Sequence, residues 1–141
     1  MEAREFLQQI YRLDKMIENK IAECEQWETI AMNITAHSEG ERVQSSGNPQ
    51  KMEAAICHCV DLEREIYETV ERLASVQKEV VSVIEQIDDT LQYDILHKRY
   101  VQYKSLTEIA IETRYSYQHI VDNHGKAIRK VQNYLNNLKN L

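Results

Sequence analysis

The sequence predicts an all-α protein, a long antiparallel helical hairpin (a coiled coil) followed by a small helix-turn-helix domain. Three observations carry that expectation. Only three glycines and one proline punctuate 141 residues, and Glu, Gln, Lys, Leu, Ile and Ala, which lose least on entering a helix, are abundant. Two long runs place apolar residues at alternating steps of four and three. Near the C-terminus, Ser105 and Ser116 stand where two further helices should begin.

The first run is Phe6, Ile10, Leu13, Ile17, Cys24, Trp27, Ala31 and Ile34, with Lys20 as one polar intruder and Ile21 beside it. This is the a/d seam of a heptad pattern. The second run is Met52, Ala55, Cys59, Leu62, Ile66, Leu73, Val76, Val80, Val83 and Ile87, with Thr69 as its one lapse. Each covers about 35 residues, hence roughly 50 Å of helix. The only Gly- and Ser-rich stretch, His37 to Gln50, lies between them and is the expected loop. Asn48 followed by Pro49 suits an N-cap with proline in the first turn. Domains are expected at 1–88 and 89–141.

The second helix carries a further apolar stripe: Ile56, Val60, Tyr67, Val70, Ala74, Val81 and Ile84. Two helices cannot cover both seams. A second copy of the chain is the first expected cover, making a homodimer through the hairpin, and the C-terminal domain is the second.

Beyond the hairpin, Thr90 to Tyr103 reads as a lead-in helix with Leu91, Ile95, Leu96, Tyr100 and Val101 on one face. Lys104 closes it, and Ser105 with Glu108 three residues on signals a capping box. The next helix, Leu106 to about Thr113, should bury Leu106, Ile109 and Ala110, the small Ala110 allowing a close helix crossing. Ser116 then caps a helix running from Tyr117 to about Leu138. Its inward face is expected to be Ile120, His124 or Val121, Ala127, Ile128, Val131 and Leu135.

That leaves Tyr117, Gln118, His119, Asp122, Asn123 and Lys126 facing outward at the start of the helix, where a recognition helix meets base edges. Gln, Asn, His and Lys can donate to purines, and Tyr117 can reach a phosphate or a thymine methyl. Lys126, Arg129 and Lys130 suit phosphates. Arg114 stands at the turn, where glycine is usual. If its φ is positive, the arginine accepts that strain and sets a positive charge beside the DNA backbone. Asp122 repels phosphates unless it accepts from a cytosine amine.

Charge agrees with this division. Through Asp89 there are 9 Lys/Arg against 19 Asp/Glu, and from Thr90 onward 8 against 4. An acidic body joined to a basic tail points toward nucleic acid.

Other chemistries find little support. Cys57-His58-Cys59 looks like a metal fragment, but successive helical residues point about 100° apart, and structural zinc needs four ligands. Buried or incidental thiols are expected instead, with no metal and no cofactor. The acidic pairs Glu63/Glu65 and Asp88/Asp89 fall on solvated faces. No phosphate loop or nucleophile constellation stands out, so no catalytic residues and no enzyme are expected. No apolar run approaches the ~20 residues of a membrane span. Met1 to Glu5 lacks a signal-peptide core, and three cysteines fit a reducing cytoplasm.

The run Leu106-Thr-Glu-Ile-Ala, Tyr115-Ser-Tyr-Gln-His-Ile120 and Lys126-Ala-Ile-Arg-Lys-Val131 resembles the region-4 helix-turn-helix of bacterial sigma factors, and Leu96-His-Lys-Arg-Tyr100 is similar to the segment preceding it. The whole chain also resembles a family of phage and prophage proteins from Gram-positive bacteria, sigma-like regulators akin to late-gene activators of the ArpU and RinA type. The features that carry this are Glu5-Phe-Leu, Ile10-Tyr-Arg-Leu-Asp-Lys15, the loop Val43 to Met52, and Val60-Asp-Leu-Glu63. The resemblance implies a transcription regulator on double-stranded phage DNA in a bacterial cytoplasm, with RNA polymerase as a further partner. It does not imply a full sigma factor, since no counterpart of the segments that bind the promoter -10 element is present. It puts base contacts on Tyr117, Gln118, His119 and Asp122, and phosphate contacts on Ser105, Thr107, Lys126 and Arg129. Sigma factors often carry arginines where Tyr117 and His119 stand, so base preference does not transfer. The alternatives are a small-terminase-like packaging protein and a coiled-coil adaptor that binds only protein.

Overall fold

The computed structural model describes residues 1–40 and 48–140, with only the backbone described over 35–40 and at Asn48. Five α-helices follow one another: α1 (Ala3–Gly40), α2 (Asn48–Ile84), α3 (Thr90–Leu96), α4 (Leu106–Thr113) and α5 (Tyr117–Lys139). A π-helical turn, His97–Val101, continues α3. No strand occurs among the described residues, and α1 and α2 pair as a hairpin. The expected loop and the Asn48 cap lie largely outside the described residues; α1 runs to Gly40 before them.

The chain divides into two compact units, one of Asp14–Arg72 and one of Met1–Leu13 with Leu73–Leu141. The boundary expected after residue 88 is not where the contacts separate. Both ends of the hairpin's base carry their apolar faces into the core of the C-terminal helices. That core joins Ala3, Phe6, Leu7 and Ile10 of α1, Val80, Val83 and Ile84 of α2 with Ile87 beyond it, and Leu96, Tyr100, Ala127 and Val131. The Ala3 backbone N–H also donates to Gln132 Oε1 at 2.7 Å. A smaller core of Ile95, Ile109, Ala110 and Ile120 holds α3, α4 and α5 together, with Leu91 and Leu106 against it.

In the Asp14–Arg72 unit the seams meet as the heptads predict: Cys24, Ala55 and Leu62 are buried. The two polar lapses find partners. Thr69 is buried and its hydroxyl donates to the Glu65 carbonyl at 2.7 Å. Lys20 pairs with the Glu65 carboxylate across the hairpin.

The second stripe of α2 has two fates. Ile84 is fully buried in the core described above, as the C-terminal-domain reading requires. Ile56, Val60, Tyr67 and Val70 remain exposed, Tyr67 at 67%.

Candidate nucleic-acid interface

Local chemistry starts and stops each helix of the C-terminal region. Asp89 Oδ1 accepts from the Gln92 backbone N–H at 2.9 Å and caps α3, a cap that Asp-Asp before an apolar run could have announced. The lead-in helix expected to reach Tyr103 instead widens into the π turn, closed by Gln102 N–H donating to the His97 carbonyl at 3.1 Å. Tyr103 then takes φ 62°, which breaks the helix before Lys104. Apolar periodicity alone does not distinguish a π turn from an α turn.

Ser105 Oγ accepts from the Glu108 N–H at 3.1 Å, and Ser116 Oγ accepts from the His119 N–H at 3.1 Å. Both expected serine caps are present, each satisfying one of the free donors of a helix start. Between them Arg114 ends α4 at φ 62° and ψ 25°, in the left-handed region, with an exposed side chain. Ile109 and Ala110 of α4 face Ile120 of α5 across the small core.

Behind α5, His124 rather than Val121 occupies the inward position. It is buried and lies 2.8 Å from the Tyr100 hydroxyl through Nε2. Burial, with the charges of Arg4 and Arg99 adding to it, pushes the His124 pKa down to about 4. Burial likewise raises that of Tyr100. The pair is therefore neutral near pH 7, a satisfied polar contact that ties the π turn to α5.

On the outer side, Tyr117, Gln118, His119, Asp122 and Lys126 are exposed, as are Thr107, Arg129 and Lys130. Gln118 Nε2 donates to Asp122 Oδ1 at 2.9 Å. This pairing gives the aspartate an internal partner. Asn123 is half-buried and engaged within the protein: Gln92 Nε2 donates to its Oδ1 at 3.3 Å, and its Nδ2 donates to the His119 carbonyl at 2.9 Å. Its place is at the back of the outward group. Tyr115, to which the sequence assigned no role, stacks on His119 with ring centroids 4.8 Å apart. Gln92 and Tyr115 thus position two of the expected readers; their only sequence signal is proximity to the capped helix starts.

The basic side chains separate into two groups. Lys98 and Lys104 both pair with Glu112, at 3.3 and 2.6 Å. The hydrogen bond from Lys104, aided by Lys98, holds the Glu112 carboxyl below its usual range. Lys130 lies 3.6 Å from Asp88 in an exposed pair. Arg114, Lys126 and Arg129 have no carboxylate partner among the described residues, and Arg129 Nε only donates to the Gly125 carbonyl at 3.3 Å.

The cysteine fragment does not converge. Cys57 is exposed, the His58 ring stacks on Trp27 at 4.4 Å, and Cys59 is half-buried, its Sγ 3.9 Å from the Cys24 carbonyl. No described helix is long and apolar enough to cross a membrane. The chain matches no protein-family model, no curated protein and no solved structure.

Proposed function

We propose that this chain is a phage or prophage transcriptional regulator that acts in the bacterial cytoplasm by placing the start of α5 in the major groove of double-stranded DNA. One observation carries the reading. The two Ser-capped helices, joined through a left-handed Arg114, leave Tyr117, Gln118, His119 and Asp122 exposed together at the first turns of the second helix. In this reading Gln118 with Asp122 and His119 read base edges, while Ser105, Thr107, Arg114, Lys126, Arg129 and Lys130 hold phosphates. The sigma-like sequence pattern adds RNA polymerase as the second partner.

The protein acts as a dimer, the second copy covering the exposed stripe of α2. Ile56, Val60, Tyr67 and Val70 follow heptad steps, with Glu63 as the polar position. In an antiparallel pairing centred on the stripe, Val60 of each copy faces Tyr67 of the other, so the apolar surface meets itself.

Selection of bound duplexes from a random pool, followed by titration at several salt concentrations, tests the DNA reading. Affinity should fall steeply with salt as counterions are released. Lys126→Ala should weaken all sequences alike and lower the salt slope by about 1. Gln118→Ala should relax preference at one base pair at a cost of ~1–3 kcal/mol. Absence of binding at low salt, or indifference to both substitutions, overturns the proposal.

A further inference from the structure

Cys24 lies on the inner seam of α1, and Glu28 follows it by four residues, so the two share one helix face. The same pairing recurs on α2 as Cys59 and Glu63. The hairpin brings three of these groups together: Cys24 Sγ and carboxylate oxygens of Glu28 and Glu63 all lie within 4.8 Å of one another. Cys24 is buried, and its Sγ is 3.8 Å from Glu28 Oε1. The second thiol borders the group, with Cys59 Sγ 3.9 Å from the Cys24 carbonyl oxygen.

Two carboxylates and a thiol held this close oppose one another once charged. The next ionic layer of the hairpin is balanced, since Lys20 meets Glu65. Among the described residues, however, no lysine, arginine or histidine forms an ion pair with Glu28 or Glu63. Burial, then the neighbouring Cys59 and Glu28, push the Cys24 thiol up to about 11. Without a cation, the sulfur therefore keeps its proton.

We infer that Cys24, Glu28 and Glu63 form a three-residue binding site for a divalent cation of the zinc class, with solvent completing the tetrahedron, clasping α1 to α2 within the Asp14–Arg72 unit. The donor set selects the ion. A thiolate is a poor ligand for magnesium or calcium, whereas mixed sulfur and carboxylate donors suit zinc and its spectroscopic substitute cobalt(II). The distances are compatible with closure. Zn–S of ~2.3 Å and Zn–O of ~2.1 Å at a tetrahedral angle separate two ligand atoms by roughly 3.6 Å. The Cys24–Glu28 contact is already near that value, and the long exposed Glu63 side chain supplies the remaining movement. Binding replaces the thiol proton by the metal and releases it to solvent.

Cobalt(II) added to the reduced full-length protein tests the site by absorption. The expected result is a thiolate-to-cobalt charge-transfer band that saturates at one equivalent and is displaced by zinc. The band should be lost in Cys24→Ser, be weakened in the Glu28→Gln, Glu63→Gln double variant, and persist in Cys57→Ser, whose thiol is exposed. Should Cys24→Ser fail to fold, the double variant decides, because both carboxylates lie outside the buried α1–α2 seam. No band in the parent protein, a band that survives Cys24→Ser or the double variant unchanged, or one lost with Cys57 overturns the inference.

Discussion

Lys20 Nζ of α1 lies 3.0 Å from Glu65 Oε2 of α2, and the carbonyl of the same Glu65 accepts the Thr69 hydroxyl. The single polar lapse in each heptad seam is thereby resolved at one residue. Lys20 is mostly covered while Glu65 is about half exposed, so the pair sits at the edge of the seam, where a salt bridge contributes little. A Lys20→Ala, Glu65→Ala double-mutant cycle should yield a coupling of about 1 kcal/mol or less. Lys20→Leu should raise stability by roughly 1–2 kcal/mol by completing the apolar seam, measured by urea unfolding. A marked loss of stability in Lys20→Leu would show that the ion pair, rather than the seam, sustains this part of the hairpin.

What the sequence made legible follows from how local each signal is. The heptad steps, the Ser105 and Ser116 caps and the exposed group at Tyr117 to Asp122 depend on residues within one or two turns, and the structure reproduces them. The π turn at His97–Val101 and the positive φ of Tyr103 leave no such mark, because the apolar spacing there also fits an ordinary helix. The engagement of Asn123 by Gln92 and the convergence of Cys24, Glu28 and Glu63 depend on which residues face each other across helices. A heptad pattern gives the face that packs but not the partner opposite. For the same reason the stripe on α2 announced a missing partner without showing that its Ile84 end is covered from within the chain.

The exposed part of that stripe gives a prediction for assembly. A Val60→Glu, Tyr67→Glu variant places four like charges against one another in the proposed antiparallel dimer. Sedimentation equilibrium should show dimers for the parent chain and monomers for the variant, with equal helical circular dichroism because both residues are exposed. A monomeric parent, or a variant that stays dimeric, removes this face from the assembly.

Arg114 separates strain from charge. Its left-handed backbone, φ 62°, costs a non-glycine residue on the order of 1 kcal/mol. Arg114→Gly should recover about that much stability, whereas Arg114→Ala retains the strain and should leave the melting temperature nearly unchanged. Both remove the same charge. If Arg114 contacts phosphate, the two variants lose DNA affinity to a similar extent, with salt slopes lowered by about 1 each. A variant that gains stability and keeps full affinity would assign Arg114 to the turn alone.

His124 makes stability depend on pH in a defined window. Its pKa in the folded protein is about 4 against an ordinary value of 6.5, so between these values the unfolded chain binds a proton that the folded chain refuses. Unfolding therefore takes up protons in this range, and stability falls as pH falls. The contribution is fully present above pH 6.5 and declines as the pH drops toward 4; its magnitude is on the order of 3 kcal/mol. Protonation also opposes the buried arrangement directly, because the imidazolium would sit near the charges of Arg4 and Arg99. His124→Gln keeps an acceptor for the Tyr100 hydroxyl but does not titrate, so its absolute stability is expected to drop while its pH dependence over this window flattens. Urea unfolding of both proteins at half-unit steps from pH 7 to pH 4 provides the comparison. Parallel curves would place the pH dependence on carboxylates elsewhere in the chain and show that the folded protein accommodates a charged His124.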